Sequence, residues 1–282
     1  MITFFRLSLP LLAALLMPLA EAGVRPDAIY GADDRRDWYQ VADGHLRDWA
    51  SSTAALIYWS DLKQEGDSFR ISATKYGQAE KLCTNQPFWH QPTAAQCTGF
   101  LVGPNLMVTA GHCIESAADC RKSAFVFDYA VTDPRIFPGR AEAKNVYACR
   151  RIVARANRGE HDYAVVEVDR TVSGRNPLPI RRRGTPARGT AVTMIGHPAG
   201  LPSKIADGGV ILGTSPLTAS VDAFAGNSGS PVINRSTGLV EGILVNGSED
   251  FIRSGKCYIE YRCGNCRGED LFPIHKISGY IP

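Results

Sequence analysis

Apolar residues along this 282-residue chain gather in short runs, at positions 54–58, 99–102, 106–109, 125–129, 163–168, 192–195, 210–212, 232–233 and 239–245. Each run is rich in Val, Ile, Phe or Tyr and is bounded by Gly, Pro, Asn or Asp, as strands separated by turns are. Helical spacing is hard to find. Its best stretch, 269–279, is interrupted by Pro273, whose ring and missing N–H break a helix. The pattern predicts an all-β sandwich or barrel. Residues 23–50 are charge-dense (Asp33-Asp34-Arg35-Arg36-Asp37) and show no clear apolar period, which fits either a pro-segment or an extension wrapping the surface. Arg181-Arg182-Arg183, close to Pro179 and Gly184, reads as a solvated loop.

The start of the chain has a different character. Arg6 precedes an apolar stretch over 7–20, and Ala20-Glu21-Ala22 offers the small-x-small pattern read by signal peptidase. The stretch is short for a membrane span and carries Pro10 and Pro18, so a cleaved signal over 1–22 is expected, with export to the periplasm or medium. No later segment is long enough to insert stably in a membrane. A composition of 44% hydrophobic and 21% charged residues is that of a globular protein and excludes a disordered chain, a coiled coil or a collagen-like fibre. Gly 27 and Pro 17 add many turns. The formal charge of +3 gives no argument for nucleic acid. Eight cysteines suit disulfides in an exported chain.

Chemistry concentrates in three places. Thr109-Ala110-Gly111-His112-Cys113 ends a strand-like run, and its small residues leave the His112 ring room to meet a substrate. His161-Asp162 opens the run at 163–168, and such an aspartate either closes a local turn or holds a histidine in one tautomer. Gly226-Asn227-Ser228-Gly229-Ser230-Pro231 sets glycines around a serine, so that backbone N–H groups can turn inward together and stabilise an oxyanion. Each taken alone has an ordinary structural explanation.

In the order His112, Asp162, Ser228, the three segments resemble the trypsin/chymotrypsin superfamily of serine endopeptidases, whose motifs are TAGHC or TAAHC and GNSGSP or GDSGGP. The bacterial secreted trypsin-like and glutamyl-endopeptidase-like members are the most similar. The resemblance implies two perpendicular six-stranded β-barrels with the active site between them. The peptidase domain would occupy 53–282, dividing near 170–188, behind an N-terminal extension or pro-segment over 23–52. It also implies a monomeric enzyme acting on proteins or peptides, with no metal or organic cofactor. Ser228 is the implied nucleophile, His112 the base and Asp162 its orienting partner; the N–H groups of Gly226 and Ser228 form the implied oxyanion hole, and Cys97 pairs with Cys113. Asp222, six residues before Ser228, would floor the specificity pocket and favour Lys or Arg before the cut, with Gly247 leaving a wall open.

The chain departs from the pattern in places. Asn227 stands where the digestive branch has an aspartate that pairs with a freed N-terminal amine. Val245 replaces a serine that bonds the catalytic aspartate, leaving Thr109 or backbone near His112 as Asp162's partner. Leu244 takes the place of the histidine of glutamyl endopeptidases, and Phe224 that of a bracing cysteine. Cys83, Cys120, Cys149, Cys257, Cys263 and Cys266 allow many pairings. Zinc on Cys257, Cys263, Cys266 and His275, or a redox CxxC at 263–266, are the alternatives to disulfides. Two rival functions remain: a protease-like binding module of weak activity, and an α/β-hydrolase with Ser228, Asp250 or Asp270, and His275.

Overall fold

The computed structural model describes residues 28–247, 249–264 and 266–282. The signal sequence expected at 1–22, with cleavage after Ala22, lies outside them. Two groups of six strands close into barrels. The first comprises β1 (Thr53–Tyr58), β2 (Cys97–Gly103), β3 (Leu106–Thr109), β4 (Ser123–Phe127), β5 (Val146–Arg158) and β6 (His161–Val168), joined in the order β4-β5-β6-β3-β2-β1 and back to β4. The second comprises β7 (Ala191–Gly196), β8 (Lys204–Thr214), β9 (Leu217–Ala219), β10 (Pro231–Asn234), β11 (Val240–Asn246) and β12 (Glu269–Pro273), in the order β7-β10-β11-β12-β9-β8 and back to β7. This is the two-barrel architecture that the motifs implied. Residues 169–190 run between the barrels, Ile180 making an isolated parallel bridge with Val240.

Continuous apolar runs arise because both faces of these strands are covered. In β1, Ala54 and Leu56 face the first barrel's core with Met107 and Phe125, while Ala55 and Ile57 lie under the hairpin that carries Leu62 and Ile71. Val192, Met194, Ile211, Val232 and Leu271 fill the second barrel. A third core joins the two, with Phe100, Val108 and Val165 against Ile195, Ile243 and Phe272. At about 1.5–3 kcal/mol for each such side chain removed from water, this shared core holds the barrels, and the cleft between them, in fixed relation.

Two segments behave differently from the reading of the pattern. Gly44–Ser51 is a helix, capped by Asp43, whose Oδ1 accepts from His45 N–H at 2.9 Å. Its buried Leu46 and Ala50, four residues apart, pack into the shared core. The extension from Ala28 onward is also part of the fold. Ile29–Tyr30 pairs in parallel with Arg262–Cys263, and Arg35–Asp37 adds to the edge of β8. Arg35 is fully enclosed, bonded to Asp33 and, at 2.6 Å, to Glu260, with its guanidinium 4.4 Å from the Phe224 ring centroid. Lys204 Nζ reaches Asp37 Oδ1 at 2.8 Å. Pro273 stops the C-terminal helical pattern as expected: 269–273 is strand β12 and Ile274–Tyr280 is a 3-10 helix.

Four disulfides use all eight cysteines: Cys83–Cys257, Cys97–Cys113, Cys120–Cys149 and Cys263–Cys266. The zinc set and the free CxxC therefore give way to disulfides. The all-β architecture also removes the α/β-hydrolase alternative built on Asp250, Asp270 and His275.

Candidate active site

The cleft between the barrels has a volume of about 920 Å³, and His112, Asp162 and Ser228 all line it. His112 lies on the single turn Gly111–Cys113 that follows β3. The antiparallel register of β6 with β3, Ala164 opposite Thr109, brings Asp162 beside that turn. Asp162 holds the histidine twice: Oδ2 lies 2.7 Å from His112 Nδ1, and Oδ1 accepts the His112 backbone N–H at 3.0 Å. A backbone group thus supplies the second partner of Asp162, while the Thr109 hydroxyl turns away to donate to the Thr98 carbonyl at 2.7 Å. With Nδ1 facing a carboxylate, Nε2 is left to exchange a proton in the cleft. The Cys97–Cys113 bond ties the residue after His112 to the start of β2.

Ser228 stands in a loop whose conformation only its glycines permit. Gly226 and Gly229 sit at φ +89° and +91°, and a side chain on either would run into backbone, the His197 carbonyl for Gly226 and the Thr98 carbonyl for Gly229. The loop is pinned from several directions. Asn227 N–H donates to Phe224, Ser230 N–H to Asn227, Gly229 N–H to Leu244, and Thr98 N–H to the Ser228 carbonyl. Among the described residues, neither the Gly226 N–H nor the Ser228 N–H is spent on such a bond. Asn227 is fully buried and accepts weakly from the Ser230 hydroxyl at 3.4 Å. Behind the loop, burial pushes His197 down to about 4; its Nδ1 bonds the Leu201 carbonyl and its ring stacks on Tyr129.

The specificity residues divide. Gly247 lines the cleft. Asp222 does not. It is only 3% exposed, and its two oxygens accept backbone N–H bonds from Tyr30 at 2.7 Å and Asp34 at 3.0 Å. Burial, with Asp34 close by, pushes its carboxyl well above the usual range. The extension thus claims the carboxylate that counting back from Ser228 assigned to the pocket floor. The cleft instead contains Glu269, whose Oε1 accepts from the Tyr30 hydroxyl at 3.0 Å and whose Oε2 lies against Gly247. It also contains Asp270, bonded to Arg267 at 2.7 Å, and Asp250, whose Oδ2 accepts the Ala225 N–H at 2.8 Å. Burial, reinforced by Glu80, pushes Asp250 up to about 7. These residues carried no motif, and Asp250 and Asp270 entered the sequence reading only through the α/β-hydrolase alternative.

Comparison with known proteins agrees with this geometry. Residues 97–243, slightly more than half of the chain, match the family model of the trypsin-like peptidase domain. A glutamyl endopeptidase of Bacillus licheniformis is 27% identical over 153 residues, which cover 50% of this chain and 46% of that protein, so the match spans less than half the relative's length. A Glu endopeptidase solved in complex with MPD shares the fold, with a TM-score of 0.53 at 16% identity over 89% of this chain and 96% of that one.

Proposed function

This chain belongs to the trypsin-like peptidase family, and from that premise we propose that it is an exported serine endopeptidase working through His112, Asp162 and Ser228. One observation carries the reading: the paired hydrogen bonds of Asp162 to His112, in a cleft that Ser228 also lines. Ser228 Oγ attacks the carbonyl carbon of the scissile bond while His112 Nε2 takes its proton. The negative charge that develops on the carbonyl oxygen is met by the Gly226 and Ser228 N–H groups, which have no other acceptor among the described residues. His112 then gives its proton to the leaving amine, and Asp162 stabilises the imidazolium without becoming protonated. Water, activated by the same histidine, hydrolyses the acyl-enzyme. Four disulfides support an oxidising compartment, and no described helix is long and apolar enough to cross a membrane. Substrates are proteins or peptides.

For primary specificity, the reading remains cleavage after Lys or Arg, now without Asp222. What supports it is the charge of the cleft, where Glu160, Asp250, Glu269 and Asp270 stand against Arg267 and Lys276, and Leu244 offers no cation. The name of the B. licheniformis relative favours the opposite choice, an acidic residue before the cut, and Arg267 is the side chain that would read it.

A fluorophosphonate probe tests the mechanism. It should modify Ser228 in the secreted protein, and Ser228→Ala and His112→Ala should each lose nearly all hydrolysis while still folding, because a triad works as a unit. Retention of more than a few per cent of activity by Ser228→Ala would sink the assignment. A peptide-library profile decides between Arg or Lys and Glu before the cut.

A further inference from the structure

We propose that Asp250 is a positioning residue for the oxyanion hole, its carboxylate clamping the Ala225 N–H so that the next peptide presents the Gly226 N–H to the cleft. The proposal rests on the serine-peptidase reading above and extends it to a residue outside the motifs.

The argument starts from the peptide that joins Ala225 to Gly226. A trans peptide is planar, with its carbonyl and its N–H pointing in opposite directions. The Ala225 carbonyl accepts the Ala199 N–H at 2.5 Å, from the turn over 197–200 that lies behind Gly226. Holding that carbonyl backward aims the Gly226 N–H forward. The plane can still rock about Ala225 unless the other side of that residue is also held, because residues 220–230 belong to no strand and no ladder bonds restrain them. The bond from Ala225 N–H to Asp250 Oδ2, at 2.8 Å, supplies the second hold. Ala225 is thereby fixed through both its N–H and its carbonyl, directly before the proposed oxyanion donor.

Asp250 is itself well supported. Its carbonyl accepts the Tyr261 N–H at 2.9 Å. The hairpin that follows, Phe251–Ser254 with Cys257–Glu260, is tied to Cys83 by a disulfide. Phe251 packs on Phe224, the wall residue beside Ala225, with ring centroids 5.6 Å apart, and on Tyr76 at 6.2 Å. A carboxylate delivered on a braced hairpin sets geometry more closely than one on a free loop.

The charged groups around Asp250 come from four elements. They are Glu80 and Lys81 at the end of the short helix Tyr76–Ala79, its neighbour Glu249, Glu260 of the hairpin, and Arg35 of the extension. Burial, Glu80 and Glu260 push the carboxyl up, whereas the Ala225 N–H and Arg35 hold it down, and the balance leaves it at about 7. An ionised acceptor grips an N–H more tightly than a neutral one. The clamp therefore tightens as pH rises through neutrality, the same direction in which a histidine base becomes competent.

Asp250→Asn and Asp250→Ala in the full chain test this. Asp250→Asn keeps the shape and an acceptor oxygen but removes the ionisation. In the wild type, log kcat/KM should fall on the acid side with a slope above one over the range in which Asp250 also takes up its proton, and in Asp250→Asn the slope should return to one. Asp250→Ala should lose about 10–100-fold in kcat with KM little changed, somewhat less than deletion of an oxyanion donor. Its affinity for a peptide boronic acid, whose tetrahedral adduct uses the hole, should fall by a similar factor. Unchanged acid slope in Asp250→Asn, or kcat and boronate affinity within twofold of wild type in folded Asp250→Ala, would overturn the clamp. If Asp250→Ala fails to fold, the Asp250→Asn slope decides. Failure of the underlying reading looks different: wild-type Ser228 would then not react with the fluorophosphonate at all, and the clamp would fall with it.

Discussion

Asp222→Ala separates two roles for one carboxylate. As a pocket floor, its loss would cut kcat/KM for Arg substrates and spare apolar ones. In the folded chain it is instead a strap anchor, accepting the N–H groups of Tyr30 and Asp34 at 2.7 and 3.0 Å. Removing it leaves two part-buried donors without that acceptor, at about 1–3 kcal/mol each. Part of this is returned, because the buried carboxylate no longer has to be desolvated, a cost already visible in its raised pKa. The net loss expected is about 1–3 kcal/mol, or a fall in Tm of about 3–10 °C for a domain of this size. The sign with pH also follows. A carboxyl whose folded pKa lies above its unfolded value contributes stability that is fully present at low pH and drains away as pH rises toward the folded pKa. The deficit of Asp222→Ala should therefore be larger at pH 5 than at pH 8. Urea unfolding at both pH values measures it, alongside matched peptides with Arg, Ala or Glu before the cut. All three substrates should be affected alike once the folded fraction is allowed for. Wild-type stability together with a tenfold selective loss on Arg substrates would return Asp222 to the pocket.

Two further outcomes are expected. Replacing Cys97 and Cys113 together by Ala opens a link of sequence separation 16, worth about 3 kcal/mol by chain entropy, and should lower kcat as well, because the link adjoins His112; an unchanged urea midpoint and an unchanged kcat would contradict both. His197, held down to about 4 from an ordinary 6.5, is neutral in the folded chain while the unfolded chain already binds its proton, so stability should fall by up to about 3 kcal/mol as pH drops from about 6.5 toward 4. Asp222 and Asp250 slope the opposite way, so the readout is the difference between the wild type and His197→Gln; parallel stability curves would show that His197 does not carry the effect.

How much of this was legible in the sequence depends on how locally each feature is determined. Gly226 and Gly229 must be glycine because of the backbone they occupy, and that requirement is written within six consecutive residues around Ser228. The barrel strands were legible because covered strands need unbroken apolar runs, as Ala54, Ala55, Leu56 and Ile57 show. The helix Gly44–Ser51 left only a faint trace, an Asp43 cap and the pair Leu46 and Ala50, because eight residues give barely two turns of periodicity. Asp222 was misplaced for a different reason. Its distance along the chain from Ser228 fits a pocket floor, but its direction is set by Tyr30 and Asp34, nearly two hundred residues away. One cysteine pairing was equally non-local, Cys83 finding Cys257 across 174 residues.

The same long-range contacts explain how the cleft wall is ordered without the ion pair of the digestive branch. Asn227 has no charge with which to capture a freed amine, and it is fully buried beside Ser230. The extension grips the wall instead, residue by residue. Tyr30 and Asp34 hold Asp222, the Ala28 carbonyl accepts the Ala223 N–H at 3.0 Å, and the Arg35 guanidinium covers the Phe224 ring. Asp250 then takes Ala225, so four consecutive residues leading to Gly226 are each held by another part of the chain. Arg35 cannot be released cheaply: with its side chain fully enclosed between Asp33 and Glu260, separating it would strand a buried carboxylate at a cost of about 3–5 kcal/mol. Cleavage after Arg35 would sever Ala28, Tyr30, Asp34 and Arg35 together from the rest of the chain. The described part of the extension therefore packs on the cleft wall from Asp222 to Phe224 and helps to order it.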